Sequence, residues 1–329
     1  MVADPDTRLS AVARLVDSCL EGSVVGSFTR IGPAIRRRLT TFEDLEQRPG
    51  RTVVLTGATS GLGRSAAGAL GALGMTVVAV GRDRRRLDEV AVEIEAAGGT
   101  ALTEACDLAD LDEVAGLAER IAGELDHVDV LVHNAGALLA ERTTTPQGHE
   151  TTVAVHLLSP HLLTSRLRPK LAAADRAKVL TMTSGGMYSE AFDLDHLEMG
   201  ADYRGSVAYA RAKRAQVVWT LALQAREPDG GIDLSLVHPG WAATPGVSSS
   251  LPTFSKALGP LLRSPEQGVD TLVWLSSLDP GVPRGGKLWL DRSPRPLFRL
   301  PKTRVSEEVL AEQGDALLAW LDRVTKAAG

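Results

Sequence analysis

Tyr209 and Lys213 stand four positions apart in AYARAKRAQ (208–216), a segment of strong helical propensity. That spacing puts both side chains on one helix face, about one turn apart. A free phenol has a pKa of about 10, too high for a base at neutral pH. An ammonium on the same face favours the phenolate and moves it toward the working range, so the pair is a candidate acid/base. A second chemical signal lies in TVVLTGATSGLGRSAAGAL (52–70), where an apolar run meets glycines at 57, 61 and 63 and then a helical pattern. Gly57 permits a tight turn, Gly61 lets backbone approach a pyrophosphate, and Gly63 allows a helix to pack close on a strand. The helix that starts around Leu62 offers free N–H groups and a positive dipole end to phosphates. Together these features predict a bound dinucleotide.

The elements that must position these residues are legible as a pattern. TVVLTG (52–57), TVVAVG (76–81), VDVLVHNAG (128–136), KVLTMTS (178–184) and IDLSLVHPG (232–240) are short apolar runs, each ending in a turn signal. Between them lie helical stretches such as RSAAGALGAL (64–73) and RRLDEVAVEIEAAGG (85–99). Runs of this kind suit strands buried on both faces, and their alternation with helices argues for a parallel sheet. The expected fold is α/β, a doubly wound parallel β-sheet of Rossmann type in a three-layer sandwich. KLWLD (287–291) reads as a last strand and VSEEVLAEQGDALLAWLDRV (305–324) as a closing helix.

Residues 51–329 read as one such domain and residues 1–50 as an N-terminal helical arm. Within the arm, Pro33 is placed to open a helix. Phe28, Ile31, Ile35 and Leu39 form an apolar stripe, with Arg30, Arg36, Arg37 and Arg38 largely elsewhere. The stripe suits packing on the chain's own core, or a peripheral membrane contact.

The end of the second run, VAVGRDRRR, bears on which dinucleotide binds. A carboxylate there meets a ribose 2′-hydroxyl, whereas a 2′-phosphate needs a base. Arg82 follows Gly81 and can meet a phosphate bidentately, and Ser60 in the Gly-rich loop adds a hydroxyl. Asp83 is a competing signal, one residue further on. The balance favours NADP(H) over NAD(H), although Arg82 and Arg84–Arg86 also fit a solvated helix start.

By these motifs the chain resembles the short-chain dehydrogenase/reductase family. The resemblance continues in CDL (106–108), NAG (134–136), MTSGGM (182–187), Tyr209-x-x-x-Lys213 and HPGWAATPG (238–246), and it covers about residues 50–291 in the expected order. It implies that Asp107, beside Leu108, touches the adenine amino group and that Asn134 lies beside the cofactor. It implies that Pro239, Gly240 and Thr244 meet the nicotinamide end and that Ser184 hydrogen-bonds the substrate oxygen. Tyr209 is then proton donor in carbonyl reduction or acceptor in alcohol oxidation, and Lys213 binds ribose hydroxyls. Segments such as TRIGPAIRRRL (29–39) and RSPEQGVDTLVWL (263–275) are similar to the dehydrogenase/reductase family member 12-like branch, which also has an N-terminal helical extension.

One position departs from the family pattern. The slot of its fourth catalytic residue, an asparagine that kinks a helix and holds a relay water, contains His156. A neutral imidazole can also accept and donate hydrogen bonds. The implied function is an NADP(H)-dependent oxidoreductase interconverting a carbonyl and an alcohol. The competing reading, a non-catalytic NADP-binding redox sensor, rests on His156. The stretch 243–268, rich in Ser, Pro and Gly, reads as a lid, and Met187, Tyr188, Trp241, Leu251 and Phe254 are candidate walls of an uncharged pocket for a lipophilic substrate. His238 reads as structural, and His127 and His133 are assigned no role.

Composition excludes several classes. A net charge of −5 gives no pull toward nucleic acid. Cys19 and Cys106, the two cysteines, lack metal-ligand spacing, so no metal is expected and a reducing cytoplasm fits. No apolar run is long enough to span a membrane. A monomer or a homodimer is open; in the family, dimers often form through the helices carrying His156 and Tyr209, where Arg211, Arg214 and His161 would polarise the contact.

Overall fold

A computed structural model describes residues 11–39, 42, 44–228, 231–244, 246, 256, 258–282 and 285–326. The strands are β1 (Thr52–Thr56), β2 (Thr76–Gly81), β3 (Thr100–Ala105), β4 (Val130–His133), β5 (Lys178–Met182), β6 (Asp233–Val237), β7 (Leu288–Leu290) and β8 (Ser293–Arg295). They form one sheet in the order β3-β2-β1-β4-β5-β6-β7-β8, parallel throughout except for the β7–β8 pair. Every residue of β1, β4, β5 and β6 is buried, as continuous apolar runs require. β3, at the edge, is partly exposed along TALTEA and offers no apolar run to the eye. β8 is an added antiparallel edge that the sequence reading did not anticipate.

Helices cover both faces. α4 (Gly61–Gly71), α5 (Arg84–Ala96) and α10 (Pro265–Ser277) pack on one face. α6 (Leu111–Glu124), α8 (Ser159–Ala172), α9 (Gly205–Arg226) and α11 (Glu307–Thr325) pack on the other. Local chemistry sets their starts: Asp83, Asp110, Ser264 and Ser306 each accept an N–H of the first turn. α11 lies close on α9, since a Cβ at Gly314 would sit 2.7 Å from that of Ala222. His161 turns toward α11, with Nε2 2.9 Å from Asp322. The outer face of α8 and α9 is therefore covered by the chain's own last helix.

The arm consists of α1 (Ala11–Gly22), α2 (Val24–Phe28) and α3 (Ile31–Leu39). Its buried face is not the expected stripe. Gly32, Pro33 and Arg36 point inward, whereas Ile31 is exposed and Ile35 and Leu39 are only partly covered. Arg36 is 3% exposed and pairs with Asp17 (2.6 Å), Glu21 (3.0 Å) and Asp291 (2.6 Å). A buried guanidinium needs such partners, because its desolvation otherwise costs several kcal/mol. The arginine-rich pattern hid this: one of four arginines is a core residue. Pro33 sits at the third helical position, where its missing N–H has no intrahelical acceptor to lose. No described helix is long and apolar enough to cross a membrane.

Candidate active site

The sequence-predicted binding residues gather along the carboxyl ends of the parallel strands. There β1 and β4 lie side by side although they are not consecutive, which is the switch point where α/β sheets bind ligands. Gly57 has φ +69°, and a Cβ on it would lie 2.8 Å from the Ala135 Cα. Gly63 is tighter still, since a Cβ would lie 2.0 Å from the Gly57 carbonyl oxygen and 2.6 Å from Asn134 Nδ2. Asn134 locks this turn by donating to the Thr56 and Gly57 carbonyls at 3.0 and 3.3 Å. Ser60 caps α4 without a side-chain capping bond, leaving its hydroxyl facing outward with the helix N-terminus. Leu62 packs in the first turn of α4, and a Cβ on Gly268 would lie 2.7 Å from its Cδ2. The glycines thus let the turn close on Ala135 and Asn134, and the α4 N-terminus it presents, with no side-chain cap from Ser60, fits a pyrophosphate.

At the end of β2, Gly81 is required because a Cβ would sit 2.6 Å from Thr59 Cγ2. Arg82 is 75% exposed, and its Nη1 lies 3.7 Å from Asp107 Oδ2. Asp107 also accepts the Ala109 N–H at 3.0 Å, and Leu108, buried, places its carbonyl against the Ser159 hydroxyl. Asp83 is engaged elsewhere: it caps α5 through the Arg86 N–H (3.2 Å) and pairs with the Arg86 side chain at 3.5 Å. The rival carboxylate is thus a helix cap, and Arg82, largely exposed, has only the long pairing with Asp107 among the described residues.

The candidate acid/base residues converge beyond β4 and β5. Ser184, just after β5, accepts the Gly186 N–H at 3.3 Å, and its hydroxyl favours the phenolate form of Tyr209. Lys213 Nζ lies 5.5 Å from the Tyr209 ring centroid and donates to the Met182 carbonyl (2.8 Å) and to Gln216 Oε1 (3.1 Å). Burial pushes the Tyr209 phenol above its ordinary value, with the Ser184 hydroxyl acting in the opposite sense. Burial acts on Lys213 as well, lowering it to about 7.

His156 is fully buried, edge-on to Tyr209 with ring centroids 5.3 Å apart. It occupies a π-helical turn, Ala154–Leu158, between α7 (Thr151–Val153) and α8, so the kink survives without asparagine. Its Nδ1 lies 2.8 Å from the Thr152 carbonyl oxygen, which only accepts, so Nδ1 carries the proton. Nε2 therefore presents a lone pair; it has no partner among the described residues and faces Gly136. Desolvation first, and then the Lys213 charge, lower its pKa to about 3, so this histidine is neutral at physiological pH.

Comparison with known proteins gives this geometry a context. The family model described as short chain dehydrogenase matches residues 51–253. The chain belongs to the short-chain dehydrogenase family. It is 34% identical to human dehydrogenase/reductase SDR family member 12, over 82% of this chain and 87% of that protein. It is 33% identical to mouse polyprenol dehydrogenase, over 82% of this chain and 84% of the relative. A crystal structure of a metagenomic short-chain oxidoreductase in complex with NADP superposes with a TM-score of 0.56 at 27% identity, covering 74% of this chain and 96% of that one. The branch resemblance seen in the motifs is thereby borne out, and the chain stands among oxidoreductases.

In this short-chain dehydrogenase the loop after β6, expected to meet the nicotinamide end, is built partly by the arm. Gly240 has φ +70°, and a Cβ there would strike Arg263 Nε at 2.2 Å. Arg263 donates to the carbonyls of Phe28 (3.0 Å) and Ser27 (2.6 Å) and to Asp291 (2.6 Å). The Phe28 ring stacks on His238 at 4.3 Å and meets Trp241 at 5.8 Å. His238, which accepts the Gly240 N–H at 2.9 Å, is structural as expected. Pro239 is buried between these groups. Ala242 and Arg263 form a parallel bridge, so the two ends of the expected lid are tied together, and Thr244 lies just inside that tie. Leu251, Phe254 and the rest of residues 247–255 of the lid fall outside the described residues. Met187 and Tyr188 are core rather than pocket wall; the Tyr188 hydroxyl donates to the Pro296 carbonyl at 2.8 Å. Trp241 keeps a partly exposed edge.

Two contributors escaped sequence reasoning. Gln216 bridges Lys213 Nζ and the His156 carbonyl, which its Nε2 meets at 2.9 Å. Its signal was present as Lys213 and Gln216 three apart on one helix face. Phe28 was marked in the arm's apolar stripe, but its place beside the site was not, because its partners lie more than two hundred residues along the chain.

Proposed function

We propose that the chain is an NADP(H)-dependent reductase or dehydrogenase, interconverting a carbonyl and an alcohol on a small lipophilic substrate. The observation that carries this reading is the convergence of Ser184, Tyr209 and Lys213 beside the glycine cradle, with His156 buried against the phenol. Gly57, Gly61, Gly63 and Ser60 would hold the pyrophosphate, Asp107 the adenine, and Asn134, Pro239, Gly240 and Thr244 the nicotinamide end. When bound, the cofactor supplies or takes up a hydride. The exposed guanidinium of Arg82, with Asp83 withdrawn as a cap, supports preference for the 2′-phosphate.

The chain's own part in reduction follows from its protonation states. Tyr209, raised above its ordinary value, holds its proton at neutral pH and gives it to the carbonyl oxygen as negative charge develops there. The Ser184 hydroxyl orients the same oxygen and favours that charge. The Lys213 ammonium stabilises the phenolate left behind. Gln216 keeps Lys213 in register with the helix kink, filling by an amide the span between Nζ and the residue-156 carbonyl. An amide does not pass protons as water does, so Gln216 is a positioning residue.

The test is oxidation of NADPH and of NADH by the pure protein with a panel of lipophilic aldehydes and ketones, beside Tyr209→Phe. Turnover that prefers NADPH and falls at least about 100-fold in the variant supports the reading. NADPH binding without turnover across the panel, unchanged by His156→Asn, favours the sensor reading instead.

A further inference from the structure

Arg214 follows Lys213 on α9 but takes no part in the chemistry above. Its side chain is 1% exposed, yet among the described residues no carboxylate pairs with it. Nη2 donates to the Leu297 carbonyl at 3.2 Å, while Nε and Nη1 have no hydrogen-bond partner among the described residues. The guanidinium lies 5.1 Å from the Phe298 ring centroid, which offsets part of its charge. Burial lowers its pKa only to about 10, so it stays cationic at neutral pH. The same molecule shows what such a group requires. Arg36 and Arg263, equally buried, each hold a carboxylate at 2.6 Å.

Arg214 borders a cavity of about 40 Å³ that Phe192, Val218, Phe298, Lys302 and Gln313 also line. Lys302 is half-exposed at its edge, 3.5 Å from Glu190. The space is larger than the 10–15 Å³ or so that a single water needs, and its walls are mostly apolar. A water would satisfy the N–H groups and leave the charge uncompensated, at a cost that a counter-ion removes.

We propose that this cavity binds a small monovalent anion, either a halide or a one- to two-carbon carboxylate, held by Nε and Nη1 of Arg214 with Lys302 at the edge. The anion joins the Leu297–Val305 segment to α9, the helix that carries Tyr209 and Lys213. Anything that binds the folded state alone stabilises it, so the site has a thermodynamic readout independent of turnover.

The experiment is thermal melting of the full chain at one ionic strength in sodium chloride, sodium formate or sodium gluconate. Gluconate is too large for the cavity and serves as the blank. Chloride or formate should raise the midpoint saturably over gluconate, and the two arms separate halide from carboxylate. Arg214→Met fills the space without charge, and its apparent affinity for the effective anion should fall at least tenfold. Lys302→Met, at the exposed edge, should weaken it several-fold without disturbing the fold, which keeps the test open if Arg214→Met does not fold. Equal midpoints in all three salts, or an undiminished response in Lys302→Met and Arg214→Met, would overturn the proposal. So would an anion response that appears only in Glu190→Gln, because Glu190 would then be the counter-ion in solution.

Discussion

Asp291 is where the arm, the last strands and the loop after β6 are held to one another. Its carboxylate, 3% exposed, accepts from Arg36 Nη1 at 2.6 Å and from Arg263 Nη1 and Nη2 at 2.6 and 3.0 Å. Burial pushes its pKa up, and the two guanidiniums more than reverse that, leaving it below the ordinary 3.8. Asp291→Asn keeps the shape and removes the charge. Arg36 retains Asp17 and Glu21, but Arg263 is left with the Phe28 and Ser27 carbonyls. Breaking a buried pair by removing one partner costs about 3–5 kcal/mol. An unfolding entropy of about 2.1 cal/mol/K per residue, over 329 residues, gives about 0.7 kcal/mol/K, so the melting midpoint should fall by about 4–7 °C. Differential scanning fluorimetry reads that shift. Fluorescence titration should show weakened NADPH binding as well, because Arg263 packs against Gly240. The folded pKa is depressed, so Asp291's contribution is complete above 3.8 and is lost as pH falls through the folded value. A midpoint within about 1 °C of wild type would refute the claim that this ion cage holds the arm in place.

Four further outcomes are expected. Gly63→Ala puts a methyl 2.0 Å from the Gly57 oxygen, so the turn must open; NADPH titration should show at least about tenfold weaker binding with the circular dichroism spectrum retained. Arg82→Ala removes a charge-assisted contact worth about 1.5–3 kcal/mol, so KM for NADPH should rise roughly 10- to 150-fold while that for NADH holds. His133, His156 and His238 are buried neutral, each lowered by desolvation to about 3. Their stabilising neutrality is complete above the unfolded value of 6.5 and is lost below it, so urea melts should show stability falling by up to about 4 kcal/mol per pH unit under pH 6, a slope that His156→Asn makes shallower by about a third. Gln216→Leu leaves Lys213 with one fewer acceptor, which lowers its pKa further; kcat should fall and the pH–rate profile should move to lower pH, a displacement that mere loss of stability would not produce.

The strands were readable where burial on both faces calls for runs rich in Val and Leu, as in β1, β4, β5 and β6. β3 was not, because an edge strand needs no apolar run, and β8 is three residues long. The cradle was readable because Gly57 and Gly63 answer to local sterics within a few residues. The fate of Asp83 was not, since a carboxylate after a strand serves equally as ribose ligand or helix cap, and only the Arg86 N–H decides between them. In the arm, helical spacing marked Phe28, Ile31, Ile35 and Leu39 as the inward face, and of these Phe28 alone is buried. The charge cage inverted that choice: Arg36 gains three carboxylates supplied from elsewhere in the chain. Gln216 was overlooked although its spacing to Lys213 was visible, because an amide beside a catalytic lysine has no distinctive composition. Periodicity reports on the sheet and its helices; partners separated by hundreds of residues leave no trace in it.

The clamp also sets an order of events during synthesis. Asp17 binds Arg295, 278 positions away, and Arg36 binds Asp291 across 255 positions. A ribosome therefore delivers the arm first and its anchors almost last. Strands β1 to β4 and the glycine turn of residues 57–63 are made well ahead of those anchors. Arg263 holds the Phe28 carbonyl and is itself held by Asp291, so the packing of Phe28 on His238 and Trp241 has its full set of partners only once synthesis has passed Asp291.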